Sequence, residues 1–237
     1  YLDIQYMDEF KLFTWDEKKF PKPQKFVNDL HNMNFNTVAI IDPGIKKEEG
    51  YSVYESGLEI DAYVKDSQKD NFLGAVWPGF CVFPDFLREE VREWWTELNK
   101  KMIDLGIDGI WNDMNEPAIF FGKKDVQEFF EESLDILEND GHLSLDHYDE
   151  IKSMNQKAHE ELIHHNDDGE GIPHEKFHNL YAQYEAMATK EAFERSEENK
   201  RPFILTRSGF AGIQKYAATW TGDNSANWDH LKLSIPM

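Results

Sequence analysis

Residues 107–121 read Ile107-Asp108-Gly109-Ile110-Trp111-Asn112-Asp113-Met114-Asn115-Glu116-Pro117-Ala118-Ile119-Phe120-Phe121. An apolar approach ends at Trp111, and two carboxylates, Asp113 and Glu116, follow before Pro117 closes the run. This pattern suits a buried strand of a parallel α/β sheet, whose C-terminal loops carry the chemistry. Asp113 stands away from any obvious lysine or arginine partner, which makes it a candidate acid, base or nucleophile. The competing reading is a helix N-cap, a position that aspartate favours. Trp111 tilts the balance to function, since exposed tryptophan beside carboxylates suits sugar rings.

A second stretch has the same shape. Residues 216–224 read Tyr216-Ala217-Ala218-Thr219-Trp220-Thr221-Gly222-Asp223-Asn224, a short strand-like run ending in tryptophan and a carboxylate. Gly222 lets the chain turn sharply just before Asp223. Two carboxylates at the ends of two strands of one sheet are what a glycosidase needs, one to attack or stabilise the sugar and one to protonate the leaving oxygen. Sequence separation alone leaves their distance in space open.

Working outward, strand and helix alternate. Residues 1–7 read as a strand, and 21–34 as a helix with Phe26, Leu30 and Met33 on one face. Residues 37–42 form a continuous apolar run, the mark of a strand buried on both faces. Residues 44–83 form a glycine-bearing excursion with a short strand at 73–77. Pro84-Asp85 opens a helix through Trp94, Trp95 and Leu98 that Gly106 ends. Residues 126–139 and about 145–165 read as charged helices. Residues 174–198 give a long helical pattern with Leu180, Tyr184, Met187 and Ala188 on its buried face. Strands at 202–206 and before Asp223 complete the series. The alternation implies an α/β fold with a parallel sheet.

The chain has 237 residues, enough for one sizeable core, with 40% hydrophobic and 14% aromatic residues, as in a globular protein. With 25 Lys and Arg against 46 Asp and Glu, the formal charge of −21 would repel phosphates and argues against nucleic acid. Mean hydropathy is −0.68, and no apolar run reaches a membrane span. The start, Tyr1-Leu2-Asp3-Ile4-Gln5, has no basic region followed by an apolar stretch, so no signal peptide is read here. Cys81 is the lone cysteine, which forbids an intramolecular disulfide and is compatible with a reducing cytoplasm, the expected compartment. Flanked by Phe80 and Val82, it reads as a buried apolar residue and not as a catalytic thiol.

The run Trp111-Asn112-Asp113-Met114-Asn115-Glu116 resembles the nucleophile signature of glycoside hydrolase family 31, the α-glucosidase family. Leu2 to Met7, Phe13 to Asp16, Ile40-Ile41-Asp42-Pro43, Trp77-Pro78-Gly79, Phe83-Pro84-Asp85, Thr206-Arg207-Ser208 and Trp220 to Asn224 follow in the family's order. The resemblance implies a (β/α)8 TIM-type barrel of which residues 1–237 hold about five of eight strands, as a piece of a longer enzyme. It implies Asp113 as the catalytic nucleophile and Asp223 as the catalytic acid/base of a retaining double displacement. Asp3, with Ile4 beside it, matches the strand that grips the far hydroxyls of a glucose ring, and Arg207 the arginine that binds hydroxyls near the acid/base. A salt bridge orienting a carboxylate is the plainer role for Arg207. Ile40, Trp77, Trp111 and Met114 match the apolar wall of the sugar site, with core packing as the alternative. Asp42 shapes the pocket, Trp220 stacks on sugar or braces its loop, and Glu116 orients its neighbours.

The family pattern is not matched everywhere. Gln5 stands where a second aspartate is frequent, a change expected to fall on specificity. Residues 122–173 form a charged insert with turns at Asn139-Asp140-Gly141 and Asp167-Asp168-Gly169, read as a solvated helical excursion in preference to a rim of the site or a contact between copies in a homo-oligomer. His174-Glu175-Lys176-Phe177-His178 satisfies the His-Glu-x-x-His zinc pattern, with Glu198 as a third ligand, and supports a zinc-dependent hydrolase as a remote alternative. That alternative leaves the two tryptophan–aspartate motifs unexplained. The expectation is therefore a retaining glycosidase that releases glucose from the non-reducing end of α-gluco-oligosaccharides, without cofactor, metal or membrane. α-Xylosidase or α-transglucosylase activity is the alternative within the family.

Overall fold

The computed structural model describes residues 1–124, 126–127, 130–131, 158–196 and 201–235. Its centre is a parallel sheet of β1 (Val38–Ile41), β5 (Gly109–Asn112), β9 (Phe203–Thr206) and β10 (Ala218–Thr219), in that spatial order. Leu2 adds a parallel bridge to Ala39 on the free side of β1. Five chain segments thus lie side by side, the parallel sheet that the strand–helix alternation predicts and an arc of the (β/α)8 barrel that the family resemblance implies. The register pairs Ile41 with Asn112 and Asn112 with Thr206, so the three C-terminal ends finish level. That alignment brings the loops after β1, β5 and β9 to one rim. Gly109 permits it, because a Cβ there would lie 2.7 Å from the Phe203 ring and 2.9 Å from the Phe203 carbonyl.

Residues 1–7 are not a strand. Only Leu2 pairs; Asp3 then accepts the Ile4 N–H at 2.7 Å and caps a 3-10 turn over Ile4–Tyr6. A capping aspartate offers the backbone an alternative to ladder bonds, which the hydrophobic pattern does not reveal. The turn stays buried through Ile4, Tyr6 and Met7, and Tyr6 OH donates to the Ile40 carbonyl.

Helix α1 (Pro23–Asn32) begins with proline at its first position, where no partner is needed for the missing N–H. It turns Val27 inward, while Met33 is exposed. Helix α2 (Ser52–Glu59) lies within the 44–83 excursion. Helix α3 (Glu89–Asp104) starts four residues later than Asp85, which is instead buried as an acceptor. Helix α4 (His174–Arg195) packs along α3, with Thr96 Oγ1 donating to the Ala188 carbonyl at 3.1 Å. Its buried stripe is Phe177, Tyr181, Glu185, Ala188 and Ala192, not the row through Leu180, Tyr184 and Met187. A short α5 (Trp228–Leu233) follows β10.

The excursion makes a second, antiparallel sheet of β2 (Ile45–Lys46), β4 (Gly79–Val82), β3 (Gly74–Val76) and β6 (Phe121–Gly122). Its own small core includes Phe72, Val76, Phe83 and Ile119, with Cys81 buried among them as expected. Residues 163–165, read as helix from their charge, are strand β7 (Ile163–His165), paired with β8 (Gly171–Pro173) across a turn at Gly169. Burial alternates along β7, with His164 inside and its neighbours half-exposed, and that two-residue period selects a strand. Ile163 also bridges to Lys65, so this end of the insert is docked and not solvated. Of the predicted helix at 126–139 only residues 126–127 and 130–131 are described, and these are helical; the Asn139-Asp140-Gly141 turn and residues 132–157 lie outside the described residues.

The main core closes around Trp95, wholly buried with Phe13 and Phe86 ring centroids at 5.1 and 5.3 Å. Trp95→Ala is expected to cost about 3–5 kcal/mol, the range for emptying a buried aromatic site. Urea unfolding measures it; exposed Leu233→Ala is the control, expected within about 0.5 kcal/mol of wild type.

Candidate active site

Asp113 directly follows β5, and its N–H donates to the Ile41 carbonyl at 3.1 Å, extending the ladder by one residue. No helix begins there, so the capping role is excluded; residues 114–117 turn instead. Met114 takes φ +56°, a left-handed conformation rare for a long side chain, and is held in it by burial in the second core. Through that turn Asp113 is left facing the rim.

The arginine partner that the sequence hides is Arg207, placed by β9. The Arg207 N–H donates to the Asn112 carbonyl at 3.0 Å, which levels the two loops. Its guanidinium forks onto Glu116, with Nε to Oε1 at 3.1 Å and Nη2 to Oε2 at 2.9 Å. Nη1 lies 3.2 Å from Asp113 Oδ1 without the alignment of a hydrogen bond. Fork geometry fixes the plane of the guanidinium, and so the third contact, better than a lysine would. Glu116 orients its neighbours as expected, and it does so through Arg207.

Asp42 follows β1 and is buried, with Oδ1 unpartnered among the described residues. Burial first, then the charge of Asp113, pushes its carboxyl well above the usual range, with Arg207 opposing. Asp113 is also raised, by burial, with Glu116 and Asp223 adding; Arg207 and the Met114 N–H oppose. Burial weighs against the Arg207 charge, but Glu116, Asp113 and Asp223 outweigh it and hold the guanidinium above its ordinary value. Asp3, exposed at its capping position, also acts on Asp42.

Asp223 comes after β10 on a turn where Gly222 adopts φ +77°, and it acts electrostatically on both Asp113 and Arg207. Trp220 sets its ring edge-on to Trp111, centroids 5.8 Å apart, and Tyr1 approaches Trp111 from another side at 6.3 Å. The rim thus gathers Asp3, Asp42, Asp113, Arg207 and Asp223 with Trp111 and Trp220. Ile4, Ile40 and Met114 are buried behind it. Trp77 sits at the β3–β4 hairpin tip, 51% exposed and edge-on to Phe120 at 5.2 Å.

Beneath the rim lies a polar cluster that sequence reasoning missed. Asn115 Nδ2 donates to Glu185 Oε2 and to Thr206 Oγ1, both at 2.8 Å, and Asn115 Oδ1 accepts the Ser208 N–H at 3.0 Å. From the sequence Glu185 was assigned no role. Its place four residues after Tyr181 and three before Ala188 was the available signal.

The His-Glu-x-x-His stretch opens α4 as a hydrogen-bonded row. His164 Nδ1 meets Asp85 Oδ1 at 2.9 Å, His164 Nε2 meets His174 Nδ1 at 2.9 Å, and His174 Nε2 meets His178 Nδ1 at 3.0 Å. Burial and the adjacent imidazoles push His174 down to about 2, so it is neutral. Among the described residues no group of three or more His, Cys, Asp or Glu side chains is arranged to hold a metal. Glu198 lies outside the described residues. The row serves packing, and His159 ties it to the site loop by donating to the Pro117 carbonyl at 2.6 Å.

The family profile described as Glycosyl hydrolases family 31 TIM-barrel domain matches residues 1–237. The chain is 40% identical over its whole length to an alpha-glucosidase of Saccharolobus solfataricus, covering 32% of that protein. It is 38% identical, again over its whole length, to alpha-glucosidase 2 of Bacillus thermoamyloliquefaciens, covering 26% of it. The crystal structure of a glucosidase II alpha subunit in a Glc1Man2-bound form superimposes with a TM-score of 0.74 at 33% identity, over 99% of this chain and 22% of that one. The chain therefore spans about a third or less of the length of these relatives.

The charges around Asp113 give two shifts of opposite sign. Arg207→Met removes a stabilising cation and is expected to raise the Asp113 ionisation midpoint; Asp223→Asn removes a like charge and is expected to lower it. Carboxyl carbon chemical shifts, followed against pH, read both directly.

Proposed function

The chain belongs to glycoside hydrolase family 31, and from that premise we propose that Asp113 and Asp223 are the nucleophile and the acid/base of a retaining α-glucosidase. The observation that carries this is the meeting of both aspartates, with Arg207 and two tryptophans, at the C-terminal rim of one parallel sheet. That rim is where barrel enzymes place their chemistry.

In the first step Asp113 attacks the anomeric carbon of a terminal glucose while the bond to the aglycone oxygen breaks. Asp223 gives its proton to that oxygen as it leaves. The covalent glycosyl-enzyme is then attacked by water, Asp223 takes the water's proton, and Asp113 departs. Two inversions give net retention. Burial strips Asp113 of water, which favours a reactive carboxylate, and the Arg207 charge favours its ionised form against that burial. Buried Asp42 and exposed Asp3 offer their carboxyl groups to the sugar hydroxyls. Trp111 and Trp220 supply apolar faces. The relatives named alpha-glucosidases support glucose as the sugar released.

Glucose release from an aryl α-glucoside by the polypeptide carrying this chain tests the proposal. Asp113→Asn is expected to lose several orders of magnitude, and Asp223→Asn about 10²–10⁴-fold, less with a leaving group that needs no proton. The first product seen by NMR is expected to be the α-anomer. Activity surviving in Asp113→Asn overturns the nucleophile, and cleavage of the α-xyloside alone overturns the sugar. Chelation is expected to leave turnover unchanged.

A further inference from the structure

Glu185 is 0% exposed, in the middle of α4, with no cation against it among the described residues. One oxygen, Oε2, accepts from Asn115 Nδ2; the other, Oε1, has no hydrogen-bond partner among the described residues. The Asn112 amide acts on the same carboxyl without the alignment of a full hydrogen bond. Asn115 has no donor to spare, since Nδ2 is divided between Glu185 and Thr206 Oγ1 while Oδ1 holds the Ser208 N–H. Thr206 Oγ1 in turn donates to the Ser208 carbonyl at 2.8 Å. One amide thus ties the helix to the β9 loop, on either side of Arg207, from a position two residues past Asp113.

We infer that Glu185 is a positioning residue for the reaction, holding the Asn115 amide so that Asp113 and Arg207 stay in register at the ends of β5 and β9. The inference rests on the proposed role of Asp113. It needs only an acceptor from Glu185, not a charge. Burial first, then Asp42 and Asp113, pushes the Glu185 carboxyl well above the usual range, with the Asn115 and Asn112 amides opposing. A neutral side chain of the same shape, with an oxygen toward Asn115, is expected to serve as well. An apolar one leaves a buried amide donor unmatched and lets the loop move.

The test compares Glu185→Leu and Glu185→Gln in the polypeptide carrying this chain. Glu185→Leu is expected to lower kcat about 10- to 100-fold with KM near wild type, the scale of a misplaced reacting group. Glu185→Gln is expected to recover most of that loss and to leave the acid limb of the kcat/KM profile where it was. Wild-type kcat in a folded Glu185→Leu protein overturns the inference. So does a Glu185→Gln enzyme as slow as the leucine variant with a displaced acid limb, because the charge would then be what matters. If Glu185→Leu does not fold, Asn115→Asp removes the donor from the other side and carries the same expectation for kcat. Crystal structures give a readout independent of turnover: Arg207 Nη1 and Asp113 Oδ1, 3.2 Å apart here, are expected to separate in the leucine variant. Should the wild type fail to cleave the glucoside, the functional reading falls, and the crystallographic arm still decides the role of Glu185.

Discussion

Carboxylates gathered in a poorly solvated place repel one another and lose their hydration, and both effects favour protonation. The rim of this sheet collects Asp42, Asp113, Glu116 and Asp223, and the Arg207 guanidinium lies among them. Its fork onto Glu116 uses two donors to fix the plane, which leaves Nη1 at Asp113. One cation thus favours the ionised form of Asp113, while the more deeply buried Asp42 is pushed toward its neutral form. The division of labour between two carboxyls follows from where the arginine lies.

That placement depends on the sheet. Parallel pairing with Ile41, Asn112 and Thr206 in line brings three loops to the same height. The close approach at Gly109 and the Arg207 N–H bond to the Asn112 carbonyl hold β5 and β9 together up to the rim. Beyond the rim the second sheet takes over, because Met114 packs into its core and so fixes the unfavourable backbone turn after Asp113. Strain at this residue is sustained by the burial of its own side chain.

The parallel strands, and the positions of Asp113 and Asp223 after two of them, were legible because each rests on local pattern, a strand-like run followed by a polar turn. Residues 1–7 misled because a single aspartate cap outweighs alternation over so short a stretch. The second sheet was nearly invisible: its strands have two to four residues, and β3 pairs with β6 through Gly74 and Gly122, 48 positions apart. Patterns of period two need longer runs than that. The Arg207–Glu116 fork joins residues 91 apart, a distance at which charge alone names no partner. Trp77 was assigned by resemblance, and its hairpin tip sets it against Phe120.

Glu185 shows a different limit. Helical spacing places it in the stripe of Phe177, Tyr181, Ala188 and Ala192, but a glutamate there reads as an error in phase, and the stripe is then drawn one position away. The conflict was the information. A carboxyl in a buried stripe has to be neutral or matched; burial pushes this one toward its neutral form, and Asn115 matches one of its oxygens. Local rules are broken most readily where a site must be held, since an apolar residue would pack as well but could not accept the amide's hydrogen bond. An ionisable side chain that interrupts a helical seam next to a candidate nucleophile is therefore better read as part of the site's support than as a lapse in the pattern.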